Sequence, residues 1–237
     1  DSYLASIQMV GAKAKPVTLR GPNFGLPIEE LEEAFSEKTK LVVLNSPHNP
    51  TGKVFSKEDL LVLSEMIIKH DAFVISDEVY EFLTFDDHQH IPISSLPGMR
   101  ERTIMISSAG KTFSFTGWKV GWCLASETLT KAIRMVHQFN TFGSAHPLQI
   151  AVSRAIDNID SYLGSLRESY KKKRTILYEG LKKSELKPFL PEGTFFILCE
   201  IPPEKNKTDI EYCIELMESK KVAAIPPSAF YSRCPEE

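Results

Sequence analysis

The segment Phe73-Val74-Ile75-Ser76-Asp77-Glu78-Val79-Tyr80 decides the fold. A short apolar run of strand type empties directly into two carboxylates, so the strand delivers acid to one edge of a sheet. In open α/β sheets that carboxyl-terminal edge is where ligands bind. The plainer alternative is a helix cap at Asp77. Further runs of the same kind occur at Pro16–Leu19, Leu41–Leu44, Thr103–Ile106 and Val120–Ala125. Between two of them, Ser56-Lys57-Glu58-Asp59 reads as a helix start, and Leu60, Leu63, Ile67 and Ile68 recur at helical spacing as far as His70. Strand alternating with helix predicts an α/β architecture with a largely parallel sheet.

After about residue 126 the pattern becomes helical over Glu127–Phe139, Pro147–Ile159 and Ser161–Lys183. Thr194–Glu200, a helix over Thr208–Ser219 and Val222–Ile225 then suggest a smaller α+β unit. A boundary near residue 160 divides the chain into 1–160 and 161–237. With 237 residues, 42% hydrophobic and 25% charged, the chain has ample core for this plan. A net charge of −3 argues against a generally basic nucleic-acid binder. No apolar run approaches a membrane span, which needs roughly 20 residues. Cys123, Cys199, Cys213 and Cys234 form no CxxC pair, so neither a disulfide framework nor a zinc cluster is indicated, and a reduced intracellular setting follows. The opening at Asp1 and the close at Arg233-Cys234-Pro235-Glu236-Glu237 read as the ends of a cut piece.

Two other strand ends carry chemistry. Leu41–Leu44 leads into Asn45-Ser46-Pro47-His48-Asn49-Pro50-Thr51-Gly52, where two prolines constrain the backbone and hold the Asn49 amide in a defined direction. A plain turn is the alternative. Thr103–Ile106 leads into Ser107-Ser108-Ala109-Gly110-Lys111-Thr112 and then Phe113-Ser114-Phe115-Thr116-Gly117-Trp118-Lys119-Val120-Gly121-Trp122. Small residues and aromatics around Lys111 could desolvate its amine, which a Schiff-base lysine requires. Gly110-Lys111-Thr112 is also compatible with a nucleotide phosphate loop, but that pattern needs glycine at position 105, which is Met105.

The three segments in this order strongly resemble the fold-type I pyridoxal-phosphate aminotransferases over most of the chain. HQHIPISSLPGMRERT (88–103) and AIPPSAFYS (224–232) are similar to the branch containing kynurenine aminotransferases, also called glutamine transaminase K or cysteine-conjugate β-lyase. The resemblance implies a three-layer large domain, incomplete at its N-terminus, with part of a small α+β domain. It implies pyridoxal 5′-phosphate as cofactor, and Lys111 as its covalent anchor and the base that moves the substrate Cα proton. Asp77 would face the pyridine nitrogen, and Tyr80 and Asn49 the ring oxygen, with Asn49 also near the substrate carboxylate. Ser108 and Lys119 would hold the phosphate. Here Gly110 and Lys119 replace the serine and arginine of the aspartate aminotransferases, and a lysine holds phosphate less directionally than an arginine fork.

The implied reaction is ping-pong transamination of amino and 2-oxo acids, with kynurenine, glutamine, methionine or other neutral or aromatic donors. β-Elimination of cysteine S-conjugates is implied as a side activity. The alternatives are a dedicated carbon–sulfur β-lyase, which would release pyruvate and ammonia, and a non-catalytic domain retaining the fold. A homodimer is implied, in the cytoplasm, with a mitochondrial address left open. A glycine-rich phosphate turn and a carboxylate-binding arginine are expected outside the chain, Arg233 being too early for that role. The remaining candidates read as structural. His88 and His90 form no metal site, His137 and His146 sit on a helix face and a turn, and Trp118 and Trp122 pack around the lysine segment. Lys171–Arg174 reads as a solvated helix face, and the Asn206-Lys207-Thr208 sequon as unused.

Overall fold

The computed structural model describes residues 2–232. Four strands, β1 (Leu41–Asn45), β2 (Phe73–Asp77), β3 (Thr103–Ser108) and β4 (Gly121–Leu124), form one sheet in the order β1-β2-β3-β4. The first three are parallel and β4 is antiparallel to β3. Register places Asn45 beside Asp77, Asp77 beside Ile106, and Ser108 beside Gly121. The parallel strands therefore end together, and the chain enters β4 at that same edge.

The helices are α1 (Ser2–Met9), α2 (Ile28–Ala34), α3 (Lys57–Lys69), the single turn α4 (Ala109–Thr112), α5 (Glu127–Asn140), α6 (His146–Asp157), α7 (Ile159–Leu181) and α8 (Asp209–Lys220). A two-stranded ladder of β5 (Lys187–Pro188) and β6 (Cys199–Glu200) lies between α7 and α8. The Ser56 hydroxyl accepts from the Asp59 N–H and the Asp59 carboxylate from the Ser56 N–H, each at 3.1 Å, which closes the start of α3 as its sequence predicts. Leu60, Leu63 and Ile67 of α3 then pack with Leu44, Val74, Ile93 and Met99 into the main core. By contrast α5 buries no residue and leaves Met135, Val136 and Phe139 exposed.

Four sequence expectations change. Pro16–Leu19 is not a strand, because its polar partners are side chains: the Thr18 N–H donates to Glu30 and the Thr18 carbonyl accepts from Arg20. Val17 and Leu19 still pack on the core, so the apolar pattern was real although its backbone is irregular. Thr194–Glu200 yields only the short β6, and Val222–Ile225 forms no strand. Arg174 is not solvated: its buried guanidinium donates to Asp86 at 2.8 Å and to the Pro191 carbonyl at 3.0 Å, and it covers the Phe85 ring.

Residues 191–194 are tied to both loops that leave β1 and β2. The Gly193 N–H donates to the Gly52 carbonyl and the Thr194 N–H to the Leu83 carbonyl, both at 2.8 Å. Glu192 accepts from Lys53 and from the Val54 N–H, each at 2.9 Å. This close approach depends on Gly52, whose φ is +73° and whose missing Cβ would stand 2.4 Å from the Pro191 Cβ. Gly52→Ala should lower stability by about 2–4 kcal/mol, combining a left-handed penalty with overpacking. Urea unfolding of the variant measures it; an unchanged midpoint would show that the contact yields freely.

Candidate active site

β2 ends in two adjacent carboxylates whose surroundings differ completely. The Glu78 side chain is fully buried, accepting from Ser76 Oγ at 2.8 Å and lying 2.7 Å from His90 Nε2. Asp77 is half-buried at the sheet edge, where Oδ2 accepts from the Tyr3 hydroxyl at 2.5 Å and Oδ1 from the Val79 N–H at 3.3 Å. No cation pairs with Asp77 among the described residues, so its charge is oriented without being neutralised. Glu81, in the following turn, accepts from Ser107 at 2.8 Å, while burial pushes its carboxyl up.

That turn carries Tyr80, which is buried and meets the rings of Phe195 and Phe196 edge-on at 5.3 and 5.9 Å. Its hydroxyl is buried without a hydrogen-bond partner among the described residues, an arrangement that native structures rarely leave uncompensated. Burial, and then the charge of Asp77, push the Tyr80 phenol well above its ordinary value, so it stays protonated and able to donate. Lys111 Nζ stands over the Tyr80 and Phe195 rings at 5.6 and 5.3 Å from their centroids.

Lys111 occupies α4, a single helical turn. Ser108 caps this turn by accepting from the Gly110 N–H at 2.9 Å, and Thr116 Oγ1 donates to the Gly110 carbonyl at 2.9 Å. Phe115, Trp118 and Trp122 pack beside Ala109, Phe113 and Val120, in keeping with the reading of the two tryptophans as packing residues. Lys119 takes a left-handed conformation, φ 54°, immediately before the chain enters β4 opposite Ser108.

Asn49 joins the site through Asn45. The Asn45 side chain accepts from the Asn49 N–H at 2.8 Å and donates to the Asp77 carbonyl at 2.9 Å. His48 in the same loop lies with Nδ1 2.9 Å from Thr51 Oγ1, and burial lowers its pKa to about 4.

The fold thus brings Tyr80 against Lys111, places Asp77 at the foot of the Tyr80 turn, and sets Asn49, Ser108 and Lys119 around the same strand ends. Arg233 and Cys234 lie outside the described residues. Sequence reasoning missed Tyr3, Asn45 and Phe195. Only Phe195 carried a signal, as an aromatic following the tight Glu192-Gly193-Thr194 bend.

At this sheet edge stand together a lysine with no ion-pair partner among the described residues, an oriented carboxylate and a buried phenol. The chain belongs to the aminotransferase class I and II family, whose sequence model matches residues 1–237. It is 40% identical to the kynurenine–oxoglutarate transaminase of Dictyostelium discoideum, over 98% of this chain and 61% of that protein. It is 39% identical to the methionine aminotransferase of Escherichia coli K12, over 97% of this chain and 60% of that protein. Among solved structures, the N-succinyldiaminopimelate aminotransferase of Mycobacterium tuberculosis superposes with a TM-score of 0.93 at 37% identity, over 98% of this chain and 61% of that one. The chain spans about three fifths of the length of these relatives. Among the described residues, no helix is long and apolar enough to cross a membrane.

Two predictions test the scaffold of the site. His90→Ala leaves the Glu78 carboxyl buried with Ser76 alone and should cost about 3–5 kcal/mol, with His90→Gln milder. Chemical unfolding checks both, and an undisturbed His90→Ala midpoint would dismiss the pair as a stabilising contact. His48 is a base whose folded pKa lies below its unfolded value near 6.5. Its stabilising contribution is complete above pH 6.5 and declines as pH falls from there toward 4, because the unfolded chain binds the proton first. In His48→Asn, stability should fall less steeply across that window when followed by urea titration.

Proposed function

We propose that the protein carrying this chain is a pyridoxal-phosphate-dependent aminotransferase. It exchanges an amino group between neutral or aromatic amino acids and 2-oxo acids by a ping-pong route, and works as a homodimer. The observation that carries this reading is the orphaned Tyr80 hydroxyl, buried beside an amine, Lys111 Nζ, that stands over two rings and has no ion-pair partner among the described residues. A donor held without a partner fits an absent acceptor oxygen, and an unpaired amine fits an absent aldehyde.

When bound, the cofactor supplies an aldehyde for covalent attachment and a ring that accepts an electron pair. Lys111 Nζ would hold the cofactor and would serve as the general base for the substrate Cα proton. The Tyr80 and Phe195 rings would flank the amine at that position. Asp77 would hold the proton on the pyridine nitrogen, a task suited to a carboxylate oriented by two neutral donors and paired with no cation among the described residues. Tyr80 Oη and the Asn49 amide would hold the cofactor's ring oxygen as donors, and Asn49 would also orient the substrate carboxylate. Ser108 accepts from the Gly110 N–H, which leaves its own proton for a phosphate oxygen, and Lys119 adds a positive charge nearby. Residues 1–160 then form the cofactor-binding portion and 161–237 part of the smaller domain.

Borohydride reduction of the protein after addition of pyridoxal phosphate, followed by peptide mapping, should place a stable adduct on Lys111. The visible absorbance should vanish in Lys111→Ala, and kynurenine or methionine should yield its 2-oxo acid only with the unsubstituted lysine. Absence of the band in wild-type protein saturated with cofactor, or its persistence in Lys111→Ala, would overturn the assignment.

A further inference from the structure

We propose that Tyr3 is a positioning residue for Asp77, fixing the orientation and charge of the carboxylate that faces the cofactor ring; this rests on the function proposed above. The two residues lie 74 positions apart, and the Tyr3 hydroxyl donates to Asp77 Oδ2 at 2.5 Å. Burial, with the bond to Asp77 and the carboxylate's charge adding to it, pushes the Tyr3 phenol well above its ordinary value. The hydroxyl therefore remains a donor across the working pH range.

The choice of a phenol matters. A lysine or arginine in its place would neutralise Asp77 and compete with a ring cation for it, whereas a phenol orients one oxygen and leaves the net charge in place. The Val79 N–H does the same at Oδ1, so both oxygens are held by neutral donors. Nor is the contact an incidental part of a well-packed helix. No residue of α1 is fully buried, and Leu4 and Met9 are exposed. Tyr3 and Ile7, one turn apart, are its half-buried positions. The helix thus meets the molecule along a narrow stripe, one end of which terminates on Asp77.

The test compares Tyr3→Phe with Ile7→Ala in the holoenzyme. Tyr3→Phe keeps the ring and removes only the donor. Its dissociation constant for pyridoxal phosphate should rise roughly tenfold, the scale of one lost charge-assisted bond. The pH midpoint of the visible band should move upward, because a carboxylate that has lost a donor shares the ring proton more evenly, and the Lys111 nitrogen then keeps its own proton to higher pH. Ile7→Ala loosens the same helix face without touching Asp77, and should leave both quantities unchanged. Equal cofactor affinity and an unmoved midpoint in Tyr3→Phe would overturn the proposal. So would an Ile7→Ala variant as impaired as Tyr3→Phe, since docking of α1 would then be the cause. Wild-type protein that takes up no cofactor would defeat the proposed function and this inference together, whereas normal wild-type uptake with an unaffected Tyr3→Phe defeats this inference alone.

Discussion

The burial of Glu78 is the constraint from which the site follows. A strand alternates its side chains, so one of two consecutive carboxylates at the end of β2 must turn inward when its neighbour reaches the edge. An inward carboxyl is tolerated only with partners, and Ser76 and His90 supply them. Because His90 comes from the loop that follows the Tyr80 turn, satisfying Glu78 also closes that loop against the sheet. The Glu78 N–H, donating to the Ile106 carbonyl at 2.9 Å, continues the ladder one residue past the strand. Asp77 is thereby fixed in direction by a neighbour that takes no part in the chemistry.

From that fixed point the other parts are placed by backbone more than by side-chain contact. Parallel register aligns the ends of β1, β2 and β3, and the crossover to antiparallel β4 returns the chain past Lys119 to the same edge. Asn45 then serves two loops with one amide, accepting from Asn49 and donating to the end of β2.

The sheet, its parallel sense and the positions of Asn49, Asp77 and Lys111 were legible because each depends on a local pattern: a β-branched run and the polar segment that ends it. The contacts between elements were not. Nothing near Tyr3 signals a carboxylate 74 residues away, and nothing near His90, read as a polar-loop histidine, signals that it is the partner of a buried acid. Arg174 misled for a related reason. Three neighbouring lysines make a charged run look solvated, yet only the guanidinium is long and planar enough to lie across Phe85 and still reach both Asp86 and the Pro191 carbonyl. Pro16–Leu19 shows the converse failure, since apolar alternation reports burial and leaves open whether the backbone finds a ladder or a side chain.

The segment 191–196 gives the arrangement its coupling. Its backbone bonds to Gly52 and Leu83, the Glu192 carboxylate clamps Lys53 and Val54, and Arg174 holds Pro191 from the side of α7. Phe195, carried by this segment, is one of the two rings that cover Lys111. A shift of the later, helical part of the chain relative to the sheet would therefore have to break the loops bearing Asn49 and Tyr80, or else move Phe195 off the amine. The environment of Lys111 is thus set jointly by the strand ends and by a segment some 80 residues further along. Phe195 thus ties the ring contact of Lys111 to the same backbone bonds that hold the Asn49 loop in place.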